Sequence, residues 1–230
     1  VSDVDILVVA THPDDAELGI GGSLALWVEQ GYTVALLDMT NGEPTPFGDP
    51  DTRAAESAAA AAILGVHRRI TLDLPNRALV DTVATRRKVA EVYRTLRPEF
   101  VFVQGTVDAH PDHMEGAQLA WKARFDAKLT KTDMTGEPWY PKKMVRYLAS
   151  HLPHVVRPAF VLDVSTTFEK KLEAARCYKS QFAAAGREEW LVEKLTTLAR
   201  YYGDLVGARY GEAFMSDETL GLTDIRHIVR

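Results

Sequence analysis

Two short stretches of this sequence repeat a word that can do chemistry. His12-Pro13-Asp14-Asp15 comes first and His110-Pro111-Asp112-His113 second. His12 and Asp15 are three residues apart across what reads as a strand-to-helix turn, where both side chains can converge. His113 opens a later helix and can reach the same point from a neighbouring strand. Two imidazoles and one carboxylate form a donor set for a catalytic Zn2+ and leave positions open for water or substrate. The single cysteine, Cys177, excludes a Cys-rich metal knuckle and any intrachain disulfide, and other divalent ions are not excluded.

The residues left over in the two words complete a hydrolytic site. Asp14 is the spare carboxylate, free to take a proton from water whose pKa the metal lowers toward ~7. A base in hydrogen-bond reach typically contributes ~10²–10⁴-fold. His110, if protonated, could stabilise a tetrahedral oxyanion, with Asp112 orienting it or raising its pKa. A structural zinc site is the poorer reading, because such sites close around four protein ligands.

The elements that must position these words follow from hydrophobic patterning. Continuous apolar runs at 6–10, 33–39 and 100–103 read as strands buried on both faces. Further strands are expected at 69–74, 145–149 and 159–164. Helices are expected at 23–30, 53–64, 83–96, 113–127, 167–182 and 188–202, and the segments 41–51 and 128–143 read as surface loops. Strands alternating with helices imply βαβ units, hence an α/β, Rossmann-like, mostly parallel sheet flanked by helices in a single domain spanning 1–230. In such sheets ligands bind beyond the carboxyl ends of the strands, where both words fall.

The glycines of Gly19-Ile20-Gly21-Gly22 also sit between strand and helix. Their spacing is not that of a dinucleotide fingerprint, and they are expected to let the backbone pass close to the metal turn. A nucleotide-binding module is nevertheless the non-enzyme alternative. His151 and His154 share the three-residue spacing without an acidic cluster, and read as a surface or substrate-side loop. Trp139-Tyr140, 151–154 and Tyr201-Tyr202 are the aromatic-bearing stretches that could shape a pocket.

Composition narrows the rest. Of 230 residues 46% are hydrophobic, enough for one large core, and 27 basic against 32 acidic residues give a net charge of −5. That balance lacks the basic footprint of a nucleic-acid binder. No apolar stretch reaches the length of a membrane span. The acidic start and short apolar run 6–10 do not read as a signal peptide, so a cytoplasmic location is the default expectation.

The two words, extended as His12-Pro13-Asp14-Asp15-Ala16-Glu17 with Gly21-Gly22 and as His110-Pro111-Asp112-His113, resemble the signatures of the LmbE-like (PIG-L) zinc-dependent N-acetylglucosamine deacetylases. Leu74-Pro75-Asn76-Arg77, Tyr178-Lys179-Ser180-Gln181-Phe182 and Glu212-Ala213-Phe214 resemble the bacillithiol-pathway branch, the N-acetylglucosaminyl-malate deacetylases. Ala16, inserted between Asp15 and Glu17, departs from the pattern of many members. The resemblance implies removal of an acetyl group from a GlcNAc conjugate by a metal-dependent N-deacetylase. It assigns His12, Asp15 and His113 as zinc ligands, Asp14 as general base, His110 as oxyanion stabiliser and Asp112 as its partner. It further implies that Arg53 contacts the sugar hydroxyls; the alternative for Arg53 is a helix-surface pair with Glu56. The expected partner is a small amino-sugar substrate, and the resemblance suggests a homo-oligomer, a hexamer being one form it allows. Another acetylated amino sugar, amide or ester is the alternative substrate.

Overall fold

The computed structural model describes residues 4–224 and 226; the acidic start at 1–3 lies outside them. Its first half alternates strand and helix: β1 (Ile6–Ala10), α1 (Asp15–Glu29), β2 (Val34–Asp38), α2 (Pro50–Leu64), β3 (Arg68–Thr71), α3 (Val83–Leu96), β4 (Phe100–Gln104) and α4 (Pro111–Ala127). The second half holds β5 (Lys143–Tyr147), β6 (Phe160–Asp163), α5 (Phe168–Arg176), α6 (Glu188–Asp204) and β7 (Gly211–Met215). The strands form one sheet of order β3-β2-β1-β4-β5-β7-β6. Pairing is parallel from β3 to β5, and β7 runs antiparallel to both of its neighbours.

Strand pleating explains the two layers of core. Successive side chains point to opposite faces, so Leu7, Val9, Ala35, Leu37, Val101 and Val103 pack under α3 and α4. Ile6, Val8, Ala10, Val34, Leu36 and Phe102 pack under α1, α2 and α5. Sequence order reverses between β1 and β4, which makes the gap beyond their carboxyl ends the switch point where such sheets bind ligands.

Local signals set several helix ends. Asp49 caps α2 by accepting from Asp51 N and Thr52 N at 3.0 Å each, Pro50 supplies the first turn, and Gly65 ends it at φ 74°. Thr82 and Thr85 form a capping box at α3. Among the described residues no helix is long and apolar enough to cross a membrane.

Two expectations are corrected, and one strand is added. The helix expected at 23–30 begins at Asp15, so most of the supposed 11–22 turn is helical, with one non-helical residue at Ile20. The glycines serve helix packing rather than passage past the metal turn: a Cβ on Gly19 would lie 2.8 Å from the Leu148 carbonyl oxygen, and one on Gly22 2.9 Å from Val164 Cβ. The strand β7 was not expected. Its buried Glu212 breaks the apolar pattern and is satisfied by distant partners, Gly22 N at 3.1 Å, Ser23 N at 2.7 Å and Lys171 Nζ at 2.6 Å.

A buried ionic knot underlies the first helical turn. Arg69 of β3 clasps Asp38 of β2 through Nε at 2.6 Å and Nη2 at 2.9 Å, and reaches Glu17 of α1 through Nη1 at 2.5 Å. The Tyr178 hydroxyl donates to the same Glu17 oxygen at 2.7 Å. Replacing Arg69 by alanine strands two buried carboxylates, and should cost roughly 3–5 kcal/mol of unfolding free energy in a urea titration.

Candidate metal centre

The first word leaves β1 at Thr11 and is held in place by its own backbone. His12 N–H donates to Asp15 Oδ2 at 2.9 Å, and Asp14 takes φ 116°, a conformation side-chain-bearing residues rarely adopt. A residue held there costs of order 1–3 kcal/mol, and such strain gathers at functional sites. The second word starts α4: the His110 ring accepts from Asp112 N–H through Nδ1 at 3.2 Å as the N-cap, and Pro111 fills the first helical position.

These two turns bring His12, Asp15 and His113 together. His12 Nδ1, His113 Nε2 and Asp15 Oδ2 form a triangle with sides of 3.2 Å. Around a tetrahedral ion with bonds of about 2.0–2.2 Å, donor atoms lie roughly 3.3–3.5 Å apart, so the set fits a divalent metal. Charge agrees with geometry. Burial works against a charged His113, yet Asp15 and Asp108 together push it up to about 10, so this position favours a cation. For Asp15, burial is outweighed by His113 and His12, which hold its carboxyl well below the usual range.

Each imidazole is backed by a second carboxylate. His12 Nε2 lies 3.5 Å from Asp112 Oδ2, and His113 Nδ1 lies 3.1 Å from Asp108 Oδ2. Such partners fix the tautomer and raise ligand basicity. Asp108 was missed in the sequence, because nothing in Val107-Asp108-Ala109 marks it. It also accepts from His110 N at 2.7 Å and His151 N at 3.2 Å, tying the β4–α4 and post-β5 loops together. Asp108→Asn should weaken metal affinity about 10–100-fold, read by competition with a chromogenic chelator.

Asp112 partners His110, its N–H donating to the ring and its charge pulling the ring's pKa up, and it does more. Its carboxylate also accepts from Arg77 N at 2.5 Å and Leu79 N at 3.4 Å and faces His12. His110 is nevertheless not poised as an imidazolium: burial, with His113 and His12 nearby, outweighs the pull of Asp112 and moves its pKa down. A neutral ring accepting through Nδ1 carries its proton on Nε2, which leaves a donor for an oxyanion without a charge.

Asp14 and Arg53 form the other half of the site. Arg53 is only 3% exposed, so it is not a helix-surface partner of Glu56, which instead accepts from Ser180 N at 2.7 Å. Its guanidinium donates to Asp14 Oδ2 at 3.3 and 3.4 Å and also to the Pro13 carbonyl. Burial drives the Asp14 carboxyl up to about 7 against the pull of Arg53 and with the repulsion of Asp15.

These groups line a cleft of about 390 Å³. Of the aromatic stretches, His151 and Tyr202 line it; Trp139 instead donates to the Pro98 carbonyl at 2.8 Å and Tyr140 packs under Arg124. The first turn of α1 offers no phosphate cradle, since Asp14 and Asp15 place carboxylates where a nucleotide would need bare amides.

The chain is 29% identical over 240 residues to the diacetylchitobiose deacetylase of Thermococcus kodakarensis, a match covering 97% of this chain and 88% of that one. It is 30% identical over 240 residues to the 4-oxalmesaconate hydratase of Pseudomonas putida, covering 97% and 85%. Its fold matches the crystal structure of a conserved protein from Thermus thermophilus with a TM-score of 0.86 at 36% identity, covering 95% of this chain and 97% of that one. The sequence model of the PIG-L family, described as GlcNAc-PI de-N-acetylase, matches residues 7–124, just over half of the 230. The protein therefore belongs to the PIG-L family, the LmbE-like deacetylases that act on amide bonds.

Proposed function

We propose that the protein is a zinc-dependent N-deacetylase of amino-sugar conjugates. The observation that carries this reading is the 3.2 Å triangle of His12, Asp15 and His113 opening, beside Asp14, into a cleft. A divalent ion held there would supply Lewis acidity toward the acyl oxygen and acidify an attacking water.

The chain's own groups then divide the proton work. Asp14 takes a proton from the water as its oxygen bonds to the acyl carbon, and returns it to the nitrogen as the carbon–nitrogen bond breaks. A carboxyl near 7 suits both halves of that task. Arg53 holds the Asp14 carboxylate in place and lines the same cleft, within which it also offers hydrogen bonds to sugar hydroxyls. His110 Nε2–H donates to the oxygen that gains charge. Asn76, whose buried Oδ1 lacks a protein partner, and Arg77 line the same cleft and offer hydrogen bonds to a hydroxylated sugar.

The finer assignment, N-acetylglucosaminyl-malate, rests on three stretches, two of which also brace the scaffold. Tyr178 bonds Glu17, and Glu212 bonds Ser23 and Lys171. All three stretches also reach the cleft, through Asn76 and Arg77, Gln181 and Phe182, and Glu212 and Ala213. The hydratase relative carries a second reading, since the same base could deliver water to a carbon–carbon double bond. Metal analysis joined to acetate release from diacetylchitobiose, GlcNAc-inositol and GlcNAc-malate separates the readings. Chelator-sensitive acetate release is the expected result. No acetate from any of them, with metal bound, overturns the proposal.

A further inference from the structure

The cleft has two unlike halves. On the side of the β2 and β3 loops it is polar, with Arg53, Asn76, Arg77 and Gln181. On the other side, past His151, it runs beneath α6 as a crevice between Leu18 of α1, Leu148 after β5, and Leu195, Leu198 and Ala199 of α6. Leu18, Leu148, Leu195 and Ala199 are buried, so little of this wall is open to bulk solvent. On its wall Lys171 Nζ donates to Glu212 at 2.6 Å and to the Gly19 carbonyl at 2.9 Å, and Arg187 also lines the cleft. At the rim Lys194 donates to the Ser150 carbonyl at 2.7 Å.

Direction follows from the proton path, and so rests on the amide-hydrolysis reading above. The departing nitrogen must meet Asp14, whose Oδ2 is held by Arg53 on the polar side. The amine-bearing sugar therefore occupies the polar half, and the acyl group faces the apolar one. An acetyl methyl is far too small to use such a wall. We propose that this crevice is an acyl-chain site, and that the enzyme hydrolyses amino-sugar amides bearing straight acyl chains longer than acetyl. The bond broken is the same amide bond, with water as co-reactant and a fatty carboxylate and free amine as products.

Metal-loaded protein should be assayed on N-acetyl-, N-butanoyl- and N-hexanoyl-glucosamine. Each buried methylene can contribute up to about fourfold, so kcat/KM should rise at least about tenfold from acetyl to hexanoyl. Ala199→Trp, which fills the crevice, should collapse the hexanoyl-to-acetyl ratio toward one. Leu198→Asn, at a partly exposed position with less risk to folding, should lower the same ratio. Calorimetric binding to the Asp14→Asn variant should show the same preference for the longer chain. Equal or falling rates with chain length overturn the inference while leaving deacetylation intact. A gain for octyl N-acetylglucosaminide without a gain for N-hexanoyl-glucosamine also overturns it, by placing the chain on the aglycone. No turnover of any amide overturns the proposed function itself.

Discussion

Asp14→Asn should lower kcat/KM for acetate release by about 10²–10⁴-fold without changing the metal content of the purified protein. Both quantities should be measured on the same sample. Asparagine is the informative replacement because it keeps the shape of the side chain and tolerates positive φ better than most residues, whereas alanine at φ 116° would add strain. It also keeps an oxygen toward Arg53, which retains the Pro13 carbonyl as acceptor. The loss therefore reports the missing base rather than a collapsed turn. A variant with near wild-type rate would move the base role off Asp14. An unchanged rate would also remove the argument for which side of the cleft receives the amine.

The second large effect belongs to His113. His113→Ala removes one of three converging donors and leaves Asp15 and Asp108 as buried carboxylates facing a void. Most metal should be lost on dialysis. Losing the several kcal/mol a bound ion contributes to charge stabilisation should lower turnover at least about 10³-fold. Metal content by emission spectroscopy is the deciding measurement, and melting temperature on the same sample guards against misfolding. Full metal retention would remove His113 from the ligand set. The contrast between the two variants is diagnostic: one loses turnover with metal retained, the other loses both.

Asp108 and Asp112 show that local words give second-tier roles only in part. Asp112 stands two residues from His110, and proximity in sequence suggested that its carboxylate serves that ring. In the fold the start of α4 turns the Asp112 side chain toward the Arg77 and Leu79 amides and toward His12. The carboxylate behind His113 comes from Asp108, which belongs to no motif. Arg53 shows the same limit: its burial against Asp14 depends on α2 packing beside the β1–α1 turn, a contact across 39 residues.

What the sequence determined by itself was the chemistry at the strand ends and the sheet that presents it. Residues 6–10, 33–39 and 100–103 are apolar at nearly every position that two helical layers must cover, so their strand character is written locally. His12 and Asp15 share one turn, and His113 begins a helix after a buried strand, so a parallel α/β order suffices to bring the three donors toward one point. Tertiary structure alone decided what surrounds that point. It placed Asp108 behind His113, set Arg53 on Asp14, and formed β7 around a buried Glu212 whose partners Gly22 and Ser23 lie some 190 residues away. It also opened the apolar crevice under α6, because a gap between packed helices depends on how far apart the helices sit. Donor type and spacing are properties of a few consecutive residues, whereas the shape of a cleft is a property of how distant surfaces pack.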